Sequence, residues 1–182
     1  MIGKRRVAAP PAVPAPSGTD DMWKALSLII DLVKHAETKA GLTLAGAGAT
    51  GGIVYTLIRS VPLMSVALST AAGISALLAL GAAVLAGLAL IPRRRTGAEP
   101  VNLLYYQHVA GAYSGRSDTY AEELAALVRN PEALASAIAQ QVWANALVAR
   151  KKYHWAGLAL NALLGALAAL AIAAAVSVLQ SP

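Results

Sequence analysis

Three long apolar runs constrain this chain more than any other feature of its sequence. They occupy residues 40–58, 63–91 and 156–179. A helix needs about 20 apolar residues to cross the roughly 30 Å hydrocarbon layer of a bilayer, because it rises about 1.5 Å per residue. Each run is long enough, and the chain is 57% hydrophobic with only 13% charged residues. The sequence therefore predicts an all-α integral membrane bundle with three transmembrane helices.

The segments between the runs set the domain organisation. Residues 59–62 join the first two spans as a tight hairpin. Residues 1–19 are basic and rich in Pro and Ala, and prolines replace the apolar core of a signal peptide, so we expect a disordered leader. Residues 20–182 then form one membrane domain. A helical segment at 99–155 connects the second and third spans. Its first helix is expected to start at Pro100, since proline is favoured at the first helical position.

Two helices are expected to extend well beyond the membrane. A helix that begins at Pro131 meets no further proline before Gln180. Its length of about 50 residues corresponds to roughly 75 Å, so about half of it must project from the bilayer. The first helix likewise begins at Thr19 or Asp20 and continues into the first span without proline. The first and last spans should therefore continue as long cytoplasmic stalk helices.

The distribution of basic residues favours one orientation. With a cytoplasmic N-terminus, 14 of the 15 Lys and Arg residues face the cytoplasm, and Arg59 alone lies outside. Such an excess marks the cytoplasmic side of inner-membrane proteins. We therefore expect a multi-pass protein of the cell inner membrane. The formal net charge of +6 is explained by this orientation and by anionic lipid headgroups. No nucleic-acid recognition module accompanies it, so nucleic acid is not an expected partner.

One acidic and one basic residue fall on otherwise apolar helix stripes, defined by steps of three and four residues. The stripes are Trp23, Leu26, Ile30, Val33, Glu37, Ala40 and Leu44 in the first helix, and Leu134, Ile138, Gln141, Asn145, Val148, Lys152 and Trp155 in the last. Glu37 precedes the first span by three residues and Lys152 precedes the third by four, so both should lie at similar depth. We predict an ion pair between them at the cytoplasmic mouth. The alternative is that both are interfacial anchors.

Other polar and small residues have structural interpretations. Gln141 and Asn145 lie where polar residues commonly fix helix register or oligomer number. Gly48 and Gly52 form a GxxxG face, which allows close helix packing within or between chains. The interfacial anchors expected beside the spans are Lys39, Tyr153 and Trp155.

The sequence does not contain a recognisable catalytic constellation. GAGATG at residues 46–51 matches a dinucleotide-binding fingerprint, but that motif works only between a strand and a helix start, and here it lies in an apolar span. The three histidines are scattered without an HExxH motif, and cysteine is absent. We therefore expect no enzymatic activity, no metal site and no cofactor.

Three stretches beside the predicted spans resemble the Pycsar effector membrane-domain family. They are HAETKAG at residues 35–41, YYQHVAGAYSGRSDTY at 105–120 and QQVWANALVARKKYHW at 140–155. The resemblance covers about residues 22–178. The layout of a hairpin followed by a further helix is also similar to that of SLATT-type membrane effectors.

Two short motifs carry the resemblance. The family has an acidic residue, a variable residue, Lys and Ala at the first span, and Glu37, Lys39 and Ala40 match this pattern. It also has a Lys-Tyr pair entering the last span, matched by Lys152 and Tyr153.

The resemblance implies a bacterial antiphage effector that permeabilises or disrupts the inner membrane when a nucleotide second messenger signals infection. Because three spans are too few for a wide pore, we expect a homo-oligomer. The implied partners are the lipid bilayer, further copies of the chain, and a nucleotide-sensing partner or a cyclic nucleotide signal. The alternative functions are a non-lytic structural or accessory subunit of a membrane complex and a small transporter.

Overall fold

The computed structural model of this chain describes residues 18–61, 64–91 and 101–180. The helices in chain order are α1 (Gly18–Ser60), α2 (Val66–Leu90), α3 (Tyr106–Ala112), α4 (Ser117–Arg129) and α5 (Pro131–Leu179). These described ranges contain no strand, so the all-α prediction is confirmed. Residues 1–17 of the predicted leader and the first residue of the second predicted span, at 63, lie outside the described residues. Gly18 and Thr19, which the leader was expected to include, already belong to α1.

Three of these helices, α1, α2 and α5, are long and apolar enough to cross a membrane. The 25 residues of α2 correspond to about 38 Å, which suits a bilayer crossing. By contrast, the 43 residues of α1 and the 49 of α5 correspond to about 65 and 74 Å. The two long helices therefore reach well beyond the hydrocarbon layer, in agreement with the prediction.

The long helices α1 and α5 run parallel, and α2 runs antiparallel to both. Two levels of contact establish this: Ala40, Ala89 and Ala156 pack together at one, and Ala47, Ala82 and Leu163 at the other. From the first level to the second, residue numbers rise on α1 and α5 and fall on α2. We refer to the first level as the alanine cluster.

Beyond the end of α2, the long helices continue side by side as a two-helix stalk, comprising residues 18–36 of α1 and 131–151 of α5. Leu26 of α1 packs against Ile138 of α5 in the apolar cluster of this stalk. Leu127 of α4 covers the same cluster. The segment between α2 and α5 is thus folded back onto the stalk.

Small side chains fill the interior of the three-helix part. The buried alanines are Ala40 and Ala47 of α1, Ala72, Ala79, Ala82, Ala86 and Ala89 of α2, and Ala156, Ala159, Ala166, Ala169 and Ala173 of α5, and Ala36 and Ala149 are buried in the adjoining end of the stalk. Lipid tails are as apolar as these side chains, so helices in a bilayer associate mainly through close van der Waals packing. Methyl groups at these positions allow the helix axes to approach closely.

One buried hydroxyl links two helices inside this apolar part. Ser75 of α2 donates a hydrogen bond of 2.8 Å to the carbonyl oxygen of Ala166 on α5. The buried hydroxyls of Thr43 and Thr50 instead donate to carbonyls one turn earlier in α1. Each of these polar groups therefore has a partner, as burial in hydrocarbon requires.

The stripe predicted on α1 is only partly right. Leu26 and Ala40 are buried, whereas Trp23, Ile30 and Leu44 are 43%, 38% and 39% exposed. The other buried positions of α1 are Ala36, Thr43, Ala47, Thr50 and Val54. From Ala36 to Thr50 the buried face of α1 carries only methyl and hydroxyl side chains, because the helix axes are near each other there, and Leu44 lies outside it.

The segment after α2 also differs from the prediction at its start. The expected start at Pro100 lies outside the described residues, and the first helix observed after it begins only at Tyr106. Asn102 explains the delay, because its Oδ1 accepts a hydrogen bond of 2.9 Å from the Leu104 backbone N–H. Such a side-chain turn competes with helical hydrogen bonding.

The glycines at the helix contacts are not the predicted pair. A Cβ added at Gly48 or Gly52 would meet no atom within 4 Å among the described residues. A Cβ at Gly46 would lie 3.0 Å from Cδ2 of Leu163, and one at Gly165 would lie 3.1 Å from a leucine of α2. Gly48 and Gly52 therefore do not pack helices within one chain. Packing between copies through these two glycines stays a prediction.

We predict that Gly46→Leu destabilises the bundle and that Gly48→Leu does not. The new side chain at position 46 must displace Leu163, and overpacking of this kind costs about 1–3 kcal/mol. The side chain at position 48 projects away from the other helices, which makes it a matched control. The free energy of unfolding in detergent micelles, measured by circular dichroism, checks this. Equal losses in the two variants would contradict the packing described.

Candidate functional site

An ion pair joins the two parallel helices close to the point where α2 ends. Lys152 Nζ lies 2.7 Å from Glu37 Oε1. Lys152 precedes Ala156 by one helical turn, and Glu37 precedes Ala40 by three residues. Both alanines belong to the level that contains the end of α2, which terminates at Leu90. The pair therefore lies at the junction between the three-helix bundle and the two-helix stalk.

The two charged side chains differ in exposure. The Lys152 side chain is 8% exposed, and the Glu37 side chain is 44% exposed. A buried ammonium needs a close partner, because its desolvation costs several kcal/mol. A carboxylate that is nearly half exposed keeps part of its hydration. Lys152 therefore depends on Glu37 more than Glu37 depends on Lys152.

Small residues around the pair explain why a lysine fits between the helices. Ala36 and Ala40 are fully buried on the face of α1 that carries Glu37. Ala149 and Ala156 are buried on α5, close to one turn on either side of the lysine. Methyl groups at these positions bring the axes together and leave room for the long lysine stem. Its ammonium then reaches the carboxylate across the helix contact.

The predicted interfacial anchors surround this pair. Lys39 Nζ lies 5.5 Å from the centroid of the Tyr153 ring, which is a cation–π arrangement. Lys39 is exposed, whereas Tyr153 is half-buried. Trp155 is also half-buried and packs against the alanine cluster. The Lys39–Tyr153 contact thus forms a second, more exposed link between α1 and α5.

The two polar residues predicted on the α5 stripe lie farther along the stalk. Gln141 is buried and Asn145 is half-buried. The Asn145 Nδ2 donates a hydrogen bond of 2.9 Å to the Gln141 backbone carbonyl within α5. The Asn145 amide therefore bonds to its own helix. A role in helix register or oligomer number stays a prediction for both residues.

Asn102, which the sequence pattern does not single out, fastens the α3–α4 segment to the stalk. Its buried side-chain Nδ2 donates to the Ala137 carbonyl at 3.0 Å and lies 3.4 Å from Gln140 Oε1. Its backbone N–H donates to His108 Nδ1 at 2.9 Å. The available signal is an asparagine two residues after Pro100, since asparagine side chains readily satisfy backbone groups at turns.

Tyrosines fix the turn between α3 and α4. Tyr120 OH donates a hydrogen bond of 3.2 Å to the Leu103 carbonyl. Tyr113 OH donates to the Glu123 carboxylate, and this hydrogen bond raises the pKa of Tyr113 above its ordinary value of 10.0. The residues that the structure describes contain no group of three or more His, Asp or Glu side chains placed to hold a metal ion.

Residues 21–179 match the family model described as the Pycsar effector protein domain. The chain belongs to the Pycsar effector family. It is 38% identical over 162 residues to the Pycsar effector protein PtPycTM of Propioniciclava tarda, with 85% of this chain and 80% of that protein covered. No solved structure matches the chain. The resemblance inferred from the short motifs is confirmed, and family membership makes the chain an antiphage defence effector with transmembrane helices.

In this Pycsar effector, the two motifs that carried the resemblance meet in space. Glu37 and Lys39 from α1 contact Lys152 and Tyr153 from α5, respectively. Both contacts lie within the part of the chain that the family model covers. The motif residues therefore form one site at the junction of bundle and stalk.

We predict that Glu37→Gln destabilises this Pycsar effector more than Lys152→Met. The first change leaves a buried ammonium without a countercharge and should cost about 2–4 kcal/mol, slightly below the range for a fully buried pair. The second leaves a partly hydrated carboxylate and should cost about 1 kcal/mol. Unfolding in detergent micelles measures both losses.

The controls for this prediction are one variant that removes a charge outside the ion pair and one charge swap. Lys39→Gln removes an exposed positive charge outside the ion pair and should change stability least. Glu37→Lys combined with Lys152→Glu restores a pair of reversed sign and should recover part of the loss if the contact is direct. A swap no better than the sum of its two single changes would contradict direct pairing.

Proposed function

We propose that this effector disrupts the integrity of the inner membrane when a nucleotide signal reports infection. We further propose that it acts as a homo-oligomer and without catalysing a reaction. The observation that carries the proposal is the Glu37–Lys152 pair, because it couples the membrane bundle to the stalk at the point where α2 ends.

The interior of the bundle supports the need for several copies. Buried methyl groups from all three helices fill the contact region of a single chain. A route for ions through such a packed interior requires either separation of the helices or a path between neighbouring copies. Several copies arranged around a common axis provide that path while each bundle keeps its own packing.

The ion pair supports a resting arrangement that a signal can change. α1 and α5 are parallel, so a displacement of one stalk helix along the other shifts Lys152 relative to Glu37. Separation would strand a buried ammonium, which makes the paired arrangement the favoured one at rest. Asn102 links the α3–α4 segment to the α5 stalk. A partner that binds this segment is therefore able to bias the pair.

The proposal includes the orientation of the chain in the membrane. We place the N-terminus, the stalk and the α3–α4 segment in the cytoplasm, where basic residues are enriched in inner-membrane proteins. A nucleotide-sensing partner or a cyclic nucleotide made in the infected cell then has direct access to the stalk. The lipid bilayer is the target of the effector.

Single cysteines test the orientation, because the chain contains none of its own. Ser114→Cys and Gly97→Cys should resist an impermeant thiol reagent in intact cells and react after lysis. Ser181→Cys should react in intact cells, because it follows the third span. Gel-shift labelling measures all three. Labelling of Ser114→Cys before lysis would contradict a cytoplasmic stalk.

Membrane potential tests the function itself. Overproduction of the chain, alone or together with a pyrimidine or purine nucleotide cyclase, should depolarise bacterial cells as read by a potential-sensitive dye. The control is an unrelated three-span protein produced to the same level. Unchanged potential under every condition would contradict membrane disruption and favour an accessory subunit.

A further inference from the structure

Asn161 places a carboxamide on the outside of the apolar half of α5. Its side chain is exposed, whereas Ala159 and Leu163 on either side of it are buried in the bundle. Among the described residues, no group forms a hydrogen bond with this amide. Asn161 lies nine residues beyond Lys152 along the helix, or about 14 Å. The short side chain therefore lies beyond reach of headgroups at the level of the ion pair.

An exposed carboxamide at this depth is unfavourable for a single chain. The group has two N–H donors and an acceptor oxygen, and hydrocarbon offers it no partner. Polar side chains within membrane spans therefore face a bundle interior or bind one another. Ser75 and Lys152 follow that rule, and the exposed hydroxyls of Thr56, Ser69 and Thr70 donate to carbonyls of their own helices, which the amide of Asn161 does not do. A partner for Asn161 must come from another molecule.

The surface around Asn161 allows another helix to come close. Gly157 lies one turn before it, and a Cβ added there would meet no atom of the described chain within 4 Å. Ala168 and Ala175 follow at intervals of seven residues and are both exposed. Leu164 lies between Asn161 and Ala168 on the same side and is 56% exposed. We refer to these five residues as the outer face of α5.

We propose that the outer face of α5 packs against the same face of a second copy, with the two Asn161 carboxamides hydrogen-bonded to each other. A carboxamide both donates and accepts, so an identical group satisfies it in a two-fold symmetric contact. Copies inserted with the same topology hold Asn161 at the same depth, and the amides meet without any shift in register. The inference rests on the proposed homo-oligomer and supplies its surface.

Charge on the same side of α5 determines where this contact is tightest. Arg150 and His154 are exposed and lie on the stalk side of Asn161, along the same stripe. Parallel copies bring like groups opposite each other there, which disfavours close approach. The helices therefore diverge toward the stalk and are closest from Gly157 to Ala175.

Disulfide cross-linking in membranes tests the geometry, since any cysteine in the chain is an introduced one. Ala168→Cys should yield covalent dimers under mild oxidation. Ile74→Cys is the matched control, because it is 49% exposed on α2 and is next to Ser75, which contacts Ala166 at nearly the same depth as Ala168. Ile74→Cys should remain monomeric. Equal dimer yields at the two positions would overturn the proposal.

Self-association in liposomes of phosphatidylcholine and phosphatidylglycerol tests the role of the amide. Energy transfer between labelled copies at increasing lipid dilution gives the association constant. Asn161→Leu should weaken association by about 3- to 30-fold, as expected for one interhelical hydrogen bond. Asn161→Gln retains the carboxamide and should keep an association constant close to that of the parent chain. Gly157→Leu should also weaken association, because its side chain occupies the surface where the second helix approaches.

The outcomes separate this proposal from the proposed function. An association constant unchanged in Asn161→Leu overturns the α5 contact. Cross-linking at Ala168→Cys in cells whose membrane potential never falls supports the contact and counts against membrane disruption. Depolarised cells without that cross-link support membrane disruption and overturn the α5 contact. Circular dichroism of the variants should match the parent, because Asn161 has no bond within its own chain.

Discussion

Close packing of alanine methyl groups holds α1, α2 and α5 together, and the other features of the structure depend on it. In a bilayer there is no hydrophobic driving force for apolar helices to associate, so the attraction must come from van der Waals contact between surfaces that fit closely. Ala40, Ala89 and Ala156 meet at the end of the bundle where α2 stops. The same short distance between α1 and α5 allows Lys152 to reach Glu37 one turn farther on.

That geometry makes the junction of bundle and stalk sensitive to movement. Inside the bundle, each long helix has two neighbours, while in the stalk α1 and α5 have each other and the folded-back α3–α4 segment. The ion pair lies where the number of neighbours changes. Its buried member, Lys152, tolerates separation poorly, and its exposed member, Glu37, is accessible to water. A change in the relative position of the stalk helices would therefore leave the buried Lys152 ammonium without its partner.

Hydropathy and proline spacing were enough to predict the three membrane helices and the long stalk, because helix length follows directly from them. The proximity of Glu37 and Lys152 was predictable from depth along two parallel helices. The buried face of α1 was harder to predict from the sequence, because lipid accepts large aliphatic residues such as Leu44 as readily as a protein interior does. Which glycine contacts a neighbour depends on how the helices rotate about their axes. Local periodicity does not encode that rotation, so Gly46 was missed and Gly48 chosen.

Every polar group in the apolar part of this chain needs a hydrogen-bonding or charged partner, because hydrocarbon offers none. This requirement connects the candidate site to assembly. Ser75 satisfies it with a carbonyl of α5, and Lys152 satisfies it with a carboxylate of α1. Both partners lie in the chain because both side chains face inward. Asn161 faces outward, and no described residue of the bundle forms a hydrogen bond with its side chain. Because a carboxamide both donates and accepts, a second copy of the chain is the partner that we propose for Asn161.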